Sequence, residues 1–334
     1  MKKSLIIALG AIALVACTKT SVSYEQTGEI GFAPVVRKNS TKAAVEGAEF
    51  PNQNIKVFGY YDNSMAVGSS YSAGKFAVEY LPGVEFAKNG AIWAGANNNH
   101  YYWPKTGSIL FAGYSPADFG VVTFSLENNI FSVAQLEQPE FYPTIKDLLY
   151  AGYTTSVIGR TVDMAFSHAL SWVTVNAKAA AENQIRITNI KFVGLAAKGS
   201  STRLPEWTTT GTKVLTVFAP ESAFAVPAEA TLVESNPNCG LVFPQTLTDA
   251  AEIVVSYEMN NGAGQWFAQA PFVQKLNLLK SGDDTINKWE AGKHYTYIIN
   301  FSTIEGGPDS SNEITIAPTI NNWTPVVADG ISAN

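Results

Sequence analysis

Cysteine is nearly absent from this chain, with Cys17 and Cys239 the only two among 334 residues. With Cys17 assigned below to lipid attachment, Cys239 is left alone, and a lone cysteine makes no intramolecular disulfide even in an oxidising compartment. The fold must therefore hold by packing. Cys239 sits beside a short apolar stretch, Leu241-Val242-Phe243, and reads as a buried, inert thiol. Charge is scarce as well: Asp, Glu, Lys and Arg make up 15% of the residues and the formal net charge is −6, a balance that argues against nucleic acid as a partner. There are three histidines, His100, His168 and His294, far apart and without metal-ligand spacing. No Gly-x-Ser-x-Gly elbow or pair of catalytic carboxylates is legible, so the chain reads as a non-enzyme with no cofactor. Sustained 3.6-residue periodicity is missing too, which excludes a mainly helical protein.

The sequence opens instead with Lys2 and Lys3 and an apolar run from Leu5 to Ala16 that is too short to span a bilayer. Leu14-Val15-Ala16-Cys17 fits a lipobox, in which the cysteine is acylated and becomes the new N-terminus. Residues 1–17 are accordingly read as a lipoprotein signal ending in the acylated cysteine. Two or more acyl chains anchor stably where one is marginal. The precursor is expected to be exported and membrane-tethered, with membrane lipid as a partner through Cys17. Loss of Lys2 and Lys3 moves the formal charge from −6 to −8.

Beyond that signal the chain is rich in Gly, Asn, Thr and aromatic residues, and 46% of all residues are hydrophobic. Short alternating runs such as Ile55–Tyr61, Ser108–Tyr114, Val162–Ser167 and Tyr295–Phe301 are separated by turn clusters such as Leu81-Pro82-Gly83 and Ala96-Asn97-Asn98-Asn99. The expected fold is all-β. The length exceeds what one β core usually holds, and the polar stretch Thr154–Arg160 is the expected boundary, giving sandwiches over 38–157 and 158–334. The expected architecture is two Greek-key, transthyretin-like β-sandwiches in tandem.

Residues 18–37 stand apart as a segment ending in a strand. In Glu29-Ile-Gly-Phe-Ala-Pro-Val-Val-Arg37, the residues Ile30, Phe32, Pro34 and Val36 fall on one face. Proline donates no ladder hydrogen bond, so Pro34 predicts an edge strand. Arg37-Lys38 follows at once and offers a cutting site to an arginine-specific protease. The strand reads as a removable plug. Near the other end, Ile314, Ile316, Pro318 and Ile320 repeat the same spacing, which makes 313–320 a candidate donor strand for the groove such a plug would leave.

Several ordered motifs carry a family resemblance: Tyr101-Tyr102-Trp103-Pro104, Leu110-Phe-Ala-Gly-Tyr-Ser-Pro116, Asp147-Leu-Leu-Tyr-Ala151, Phe166-Ser-His-Ala-Leu170, Trp289-Glu-Ala-Gly-Lys293 and Ile320-Asn-Asn-Trp323. In this order they resemble the fimbrillin family, the structural subunits of type V pili in Gram-negative bacteria. The resemblance implies a lipoprotein that travels to the outer membrane and cell surface, is cut after an arginine following the first strand, loses that strand and polymerises when a strand of the next subunit fills the groove. By position it implies lipidation at Cys17, processing at Arg37 and other pilin subunits as partners. A chain left uncut would be an anchor or accessory subunit.

Other features point less sharply. Asp283-Asp284 and the loop from Glu305 to Glu313 offer oxygen ligands but no EF-hand pattern, and no metal is expected. Among seven tryptophans, Trp93, Trp103 and Trp266 are the candidates for a sugar-stacking platform. They support the alternative of a non-polymerising surface lipoprotein, or a tip or anchor subunit, that binds glycan or protein.

Overall fold

A computed structural model describes residues 28–37, 50–62, 76, 78–140, 145–155, 158–180, 184–219, 223–233, 240–260, 262–303 and 312–322. The signal segment, Cys17, Lys38, Cys239, the loop 305–311 and Trp323 lie outside them. In chain order the principal strands are β1 (Phe32–Val36), β2 (Ile55–Asp62), β3 (Val78–Asn89), β4 (Ile92–Gly95), β5 (Ser108–Ser115), β6 (Val122–Ser125), β7 (Ile130–Glu137), β8 (Leu149–Thr155) and β9 (Val162–His168). They continue with β10 (Ser171–Ala179), β11 (Ile185–Leu195), β12 (Lys198–Arg203), β13 (Glu206–Thr210), β14 (Lys213–Phe218), β15 (Glu252–Asn260), β16 (Lys293–Thr303) and β17 (Asn312–Asn322). The fold is all-β: among the described residues the only helices are two 3-10 turns, Ala96–Asn98 and Leu276–Leu278. Its sheets stack in sandwich-like fashion about apolar cores, as period-two alternation requires.

Two compact units emerge, and neither is continuous in sequence. The first draws its described residues from Met1–Val35, Asn52–Ala117 and Ala151–Phe166, and the second from Val36–Pro51, Asp118–Tyr150 and Ser167–Asn334. The sequence pattern suggested a single cut near residue 157. The stretch 118–150 instead joins the later unit because β7 pairs with β12, as in Gly199↔Leu136, inside a sheet ordered β13-β12-β7-β6.

In the first unit, β1, β4, β3, β2, β5, β8 and β9 follow one another around a closed barrel. Its inward side chains include Ile30, Phe32, Ile55, Val57, Leu81, Phe86, Phe111 and Met164, each no more than 1% exposed. Leu81-Pro82-Gly83, expected to break the chain, lies inside β3 as a bulge: Phe58 faces Pro82 and Val57 faces Val84, so Gly83 is the extra residue. Its φ of 74° suits glycine.

In the second unit the parallel pair β10–β16 sits at the centre of one sheet, with β17 antiparallel on the edge beside β16. A second sheet is ordered β14-β11-β15. Val173 and Val175 of β10, Tyr297 and Ile299 of β16, Ile187 and Phe192 of β11, and Ile253 and Val255 of β15 are all fully buried in one core. Within it the Trp289 indole donates to the Tyr297 hydroxyl at 2.8 Å, so the buried indole N–H is satisfied.

Candidate functional site

The first strand is an inserted element. Ile30, Phe32, Pro34 and Val36 are all buried, Ala33 and Val35 are half-buried, and Arg37 is exposed. The Phe32 ring meets Phe86 at 4.7 Å and Phe111 at 5.2 Å, both edge-on, and Trp103 meets Phe111 in turn at 5.7 Å. Backbone bonds tie the segment at its N-terminal end. The Ile30 amide donates to the Tyr101 carbonyl at 2.7 Å, the Trp103 amide to Gly28 at 3.1 Å and the Val162 amide to Gly31 at 2.9 Å. Register is marked by the pairs Phe32↔Trp93 and Glu29↔Tyr102. At the surface, His100 Nδ1 lies 3.0 Å from Glu29 Oε1.

The edge position expected from Pro34 is not what forms. β1 lies between β4 and β9 in a closed barrel. Pro34 is tolerated because it falls two residues past the Phe32↔Trp93 pair, where the missing N–H breaks none of the three backbone bonds above. Consequently, taking β1 out opens two ladders and bares the cluster of Phe86 and Phe111. At its far end, Tyr150 feels the positive charge of Arg37, although burial dominates and raises the phenol above its usual value.

An edge strand is found instead at β17. It pairs with β16 over its whole length, from Lys293↔Asn322 to Thr303↔Asn312, and is the outer strand of its sheet. Ile314 and Ile316 pack on the core, Pro318 is buried opposite Tyr297, and Ile320 is 37% exposed. Apolar spacing understates the likeness between the two strands. Glu29-Ile-Gly-Phe-Ala-Pro-Val-Val36 and Glu313-Ile-Thr-Ile-Ala-Pro-Thr-Ile320 share the glutamate, the isoleucine, the alanine and the proline at matching places.

The remaining candidates are occupied structurally. Trp93 is 5% exposed and its indole donates to the Gln53 carbonyl at 2.9 Å. Trp103 is 2% exposed, and Trp266 carries Arg186 over its ring at 4.5 Å. Trp93 and Trp103 are therefore buried away from any sugar, and the half-buried Trp266 has Arg186 over its ring. His168 is a buried strand histidine 2.9 Å from an Asp147 carboxylate oxygen. No group of metal-ligating residues forms among the described residues. Asp283 and Asp284 are exposed beside a two-residue strand pair.

His294 stacks on Trp172 at 3.7 Å, with its Nε2 2.8 Å from the Thr174 hydroxyl, and burial pushes its imidazole down to about 4. The unfolded chain then takes up the proton first, so stability falls as pH drops from 6.5 towards 4. Because the ring is partly exposed, the loss is held to about 1–2 kcal/mol. Urea midpoints measured across this range should fall with acid in the native chain and fall less steeply in His294→Gln.

A sequence model of the fimbrillin-like family matches residues 41–323. The chain belongs to the fimbrillin-like family. No curated protein matches it significantly. Among solved structures, a fimbrial protein from Bacteroides vulgatus is 15% identical, with 89% of this chain and 100% of that one covered, at a TM-score of 0.54. A candidate cell adhesion protein from Bacteroides ovatus is 16% identical, with 91% and 99% covered, at 0.53, and one from Bacteroides uniformis is 14% identical, with 89% and 99% covered, at 0.51. These likenesses show a shared fold. Family membership supports a structural role as a pilus subunit at the cell surface, in association with other subunits. The family match begins past β1, so this fimbrillin-like chain carries its first strand outside the matched span.

Proposed function

We propose that this fimbrillin-like chain is exported as a lipoprotein through Cys17, cut after Arg37 by an arginine-specific protease, and polymerised by strand exchange into an adhesive pilus. In the exchange, the 313–320 segment of one copy takes the place of Ile30–Val36 in the next. The observation that carries this reading is the repeated Glu-Ile-x-apolar-Ala-Pro pattern, found once inside a closed barrel and once on a sheet edge. Four buried side chains at about 1.5–3 kcal/mol each give roughly 6–12 kcal/mol, before ordering costs, for filling the groove. The donor gives up less, because an edge strand leaves by opening a single ladder, and Ile320 is already 37% exposed there.

The cutting site suits the scheme. Arg37 is exposed while Val36 and Pro34 are buried, so a protease that grips the residues before the arginine must first fray the end of β1. After the cut the strand is held without covalent connection, and an incoming donor competes for its place.

Arg37→Ala is expected to leave lipidated, full-length chain in the membrane and to abolish laddered oligomers on mild-detergent gels. Pili that assemble normally in this variant would remove Arg37 from the scheme.

A further inference from the structure

We propose that the donor strand enters the barrel of a second copy in one register, read out by His100 and by the position of the proline. In that register Glu313 replaces Glu29, Ile316 replaces Phe32 and Pro318 replaces Pro34. The inference rests on the exchange reading above and specifies what fixes its alignment.

A strand with period-two faces that slips by one residue turns its apolar side chains outward, so odd slips are excluded by burial. Slips by two keep the alternation, and only residue identity can exclude them. A slip one way sets Pro318 at Phe32's place opposite Trp93 and carries Glu313 away from His100. The other way carries Glu313 to the buried place of Gly31, where its carboxylate loses both water and His100. In the matched register Thr315 takes that place, where its Cβ would lie 3.1 Å from the Ile92 Cδ1, and Ile92, 38% exposed, has room to turn aside.

The backbone contacts waiting in the barrel are indifferent to side chains. The Tyr101 carbonyl and the Trp103 and Val162 amides bond to backbone, which any donor supplies. His100 is the exception. It stands beside Tyr102, ring centroids 6.4 Å apart, on a stretch braced from below by the Tyr80 hydroxyl, which donates to the Tyr102 carbonyl at 2.6 Å. An exposed imidazole–carboxylate contact of this kind adds little affinity, but it discriminates between registers of otherwise equal burial.

The Glu29↔Tyr102 pair supplies the test. Polymers are collected from cells that make the full chain with Cys239→Ser, Tyr102→Cys and Glu313→Cys, then oxidised and run without reducing agent. A covalent ladder that resists boiling in detergent is expected, and Thr315→Cys in place of Glu313→Cys should give none. A ladder from Thr315→Cys, which keeps Glu313, would overturn the register while leaving strand exchange intact, and none from Glu313→Cys in polymers that assemble normally would overturn the part of the register assigned to the proline. Chains that never associate before oxidation, with wild type polymerising beside them, are checked with Tyr102→Cys alone and Glu313→Cys alone. If wild type itself does not associate, the exchange falls and the register with it.

Discussion

Phe32→Ala, placed in an Arg37→Ala background so that the first strand stays covalently attached, should lower stability by about 3–5 kcal/mol. The ring is fully buried and lies edge-on against Phe86 and Phe111, so truncation removes apolar burial, two aromatic contacts and the filling of a barrel interior. Against a total of roughly 5–15 kcal/mol for a folded domain, this is a large share. A urea unfolding series that follows the first unit is the measurement. In chains cut after Arg37 and assembled, the same substitution should change nothing, because Phe32 is gone. An equal loss in both would mean that the strand is never discarded.

Ile316→Asp should have the second large effect, at a different stage. In the single chain Ile316 is half-buried on an edge strand, where a carboxylate can turn towards water, so export and cutting should survive. In the exchanged groove the residue takes the fully buried place of Phe32, and an unpaired charge there costs several kcal/mol. At 1.4 kcal/mol per tenfold, oligomers should drop by about a hundredfold or more. Gel ladders from surface extracts read this directly. Unchanged ladder length would move the donor to another part of the chain.

How much of this was legible beforehand follows from which forces act locally. The buried face of β1 was readable because burial follows alternation: Ile30, Phe32, Pro34 and Val36 are all buried. Its neighbours were not, since Pro34 fixes only what one residue cannot donate and says nothing of closure around it. Lys198–Arg203 and Glu206–Thr210 carry weak apolar alternation because they are polar and partly exposed, and the pairing of the first with Ile130–Glu137 is what draws 118–150 into the second unit. Leu81-Pro82-Gly83 looked like a turn because a bulge uses the same residues. The tryptophans kept a ligand role open until their indoles were seen packed, bonded to a carbonyl or capped by a guanidinium. The pairing of Glu29 with His100, 71 positions apart, had no local signal at all. Once it is known, the shared glutamate at 313 becomes informative.

The most direct test of the central claim is the N-terminal mass of the protein recovered from the cell surface. A chain that begins at Lys38 is the predicted result, since the barrel must lose Ile30–Val36 before another copy can supply its strand. A terminus found only at acylated Cys17, in material that nevertheless forms polymers, would contradict it.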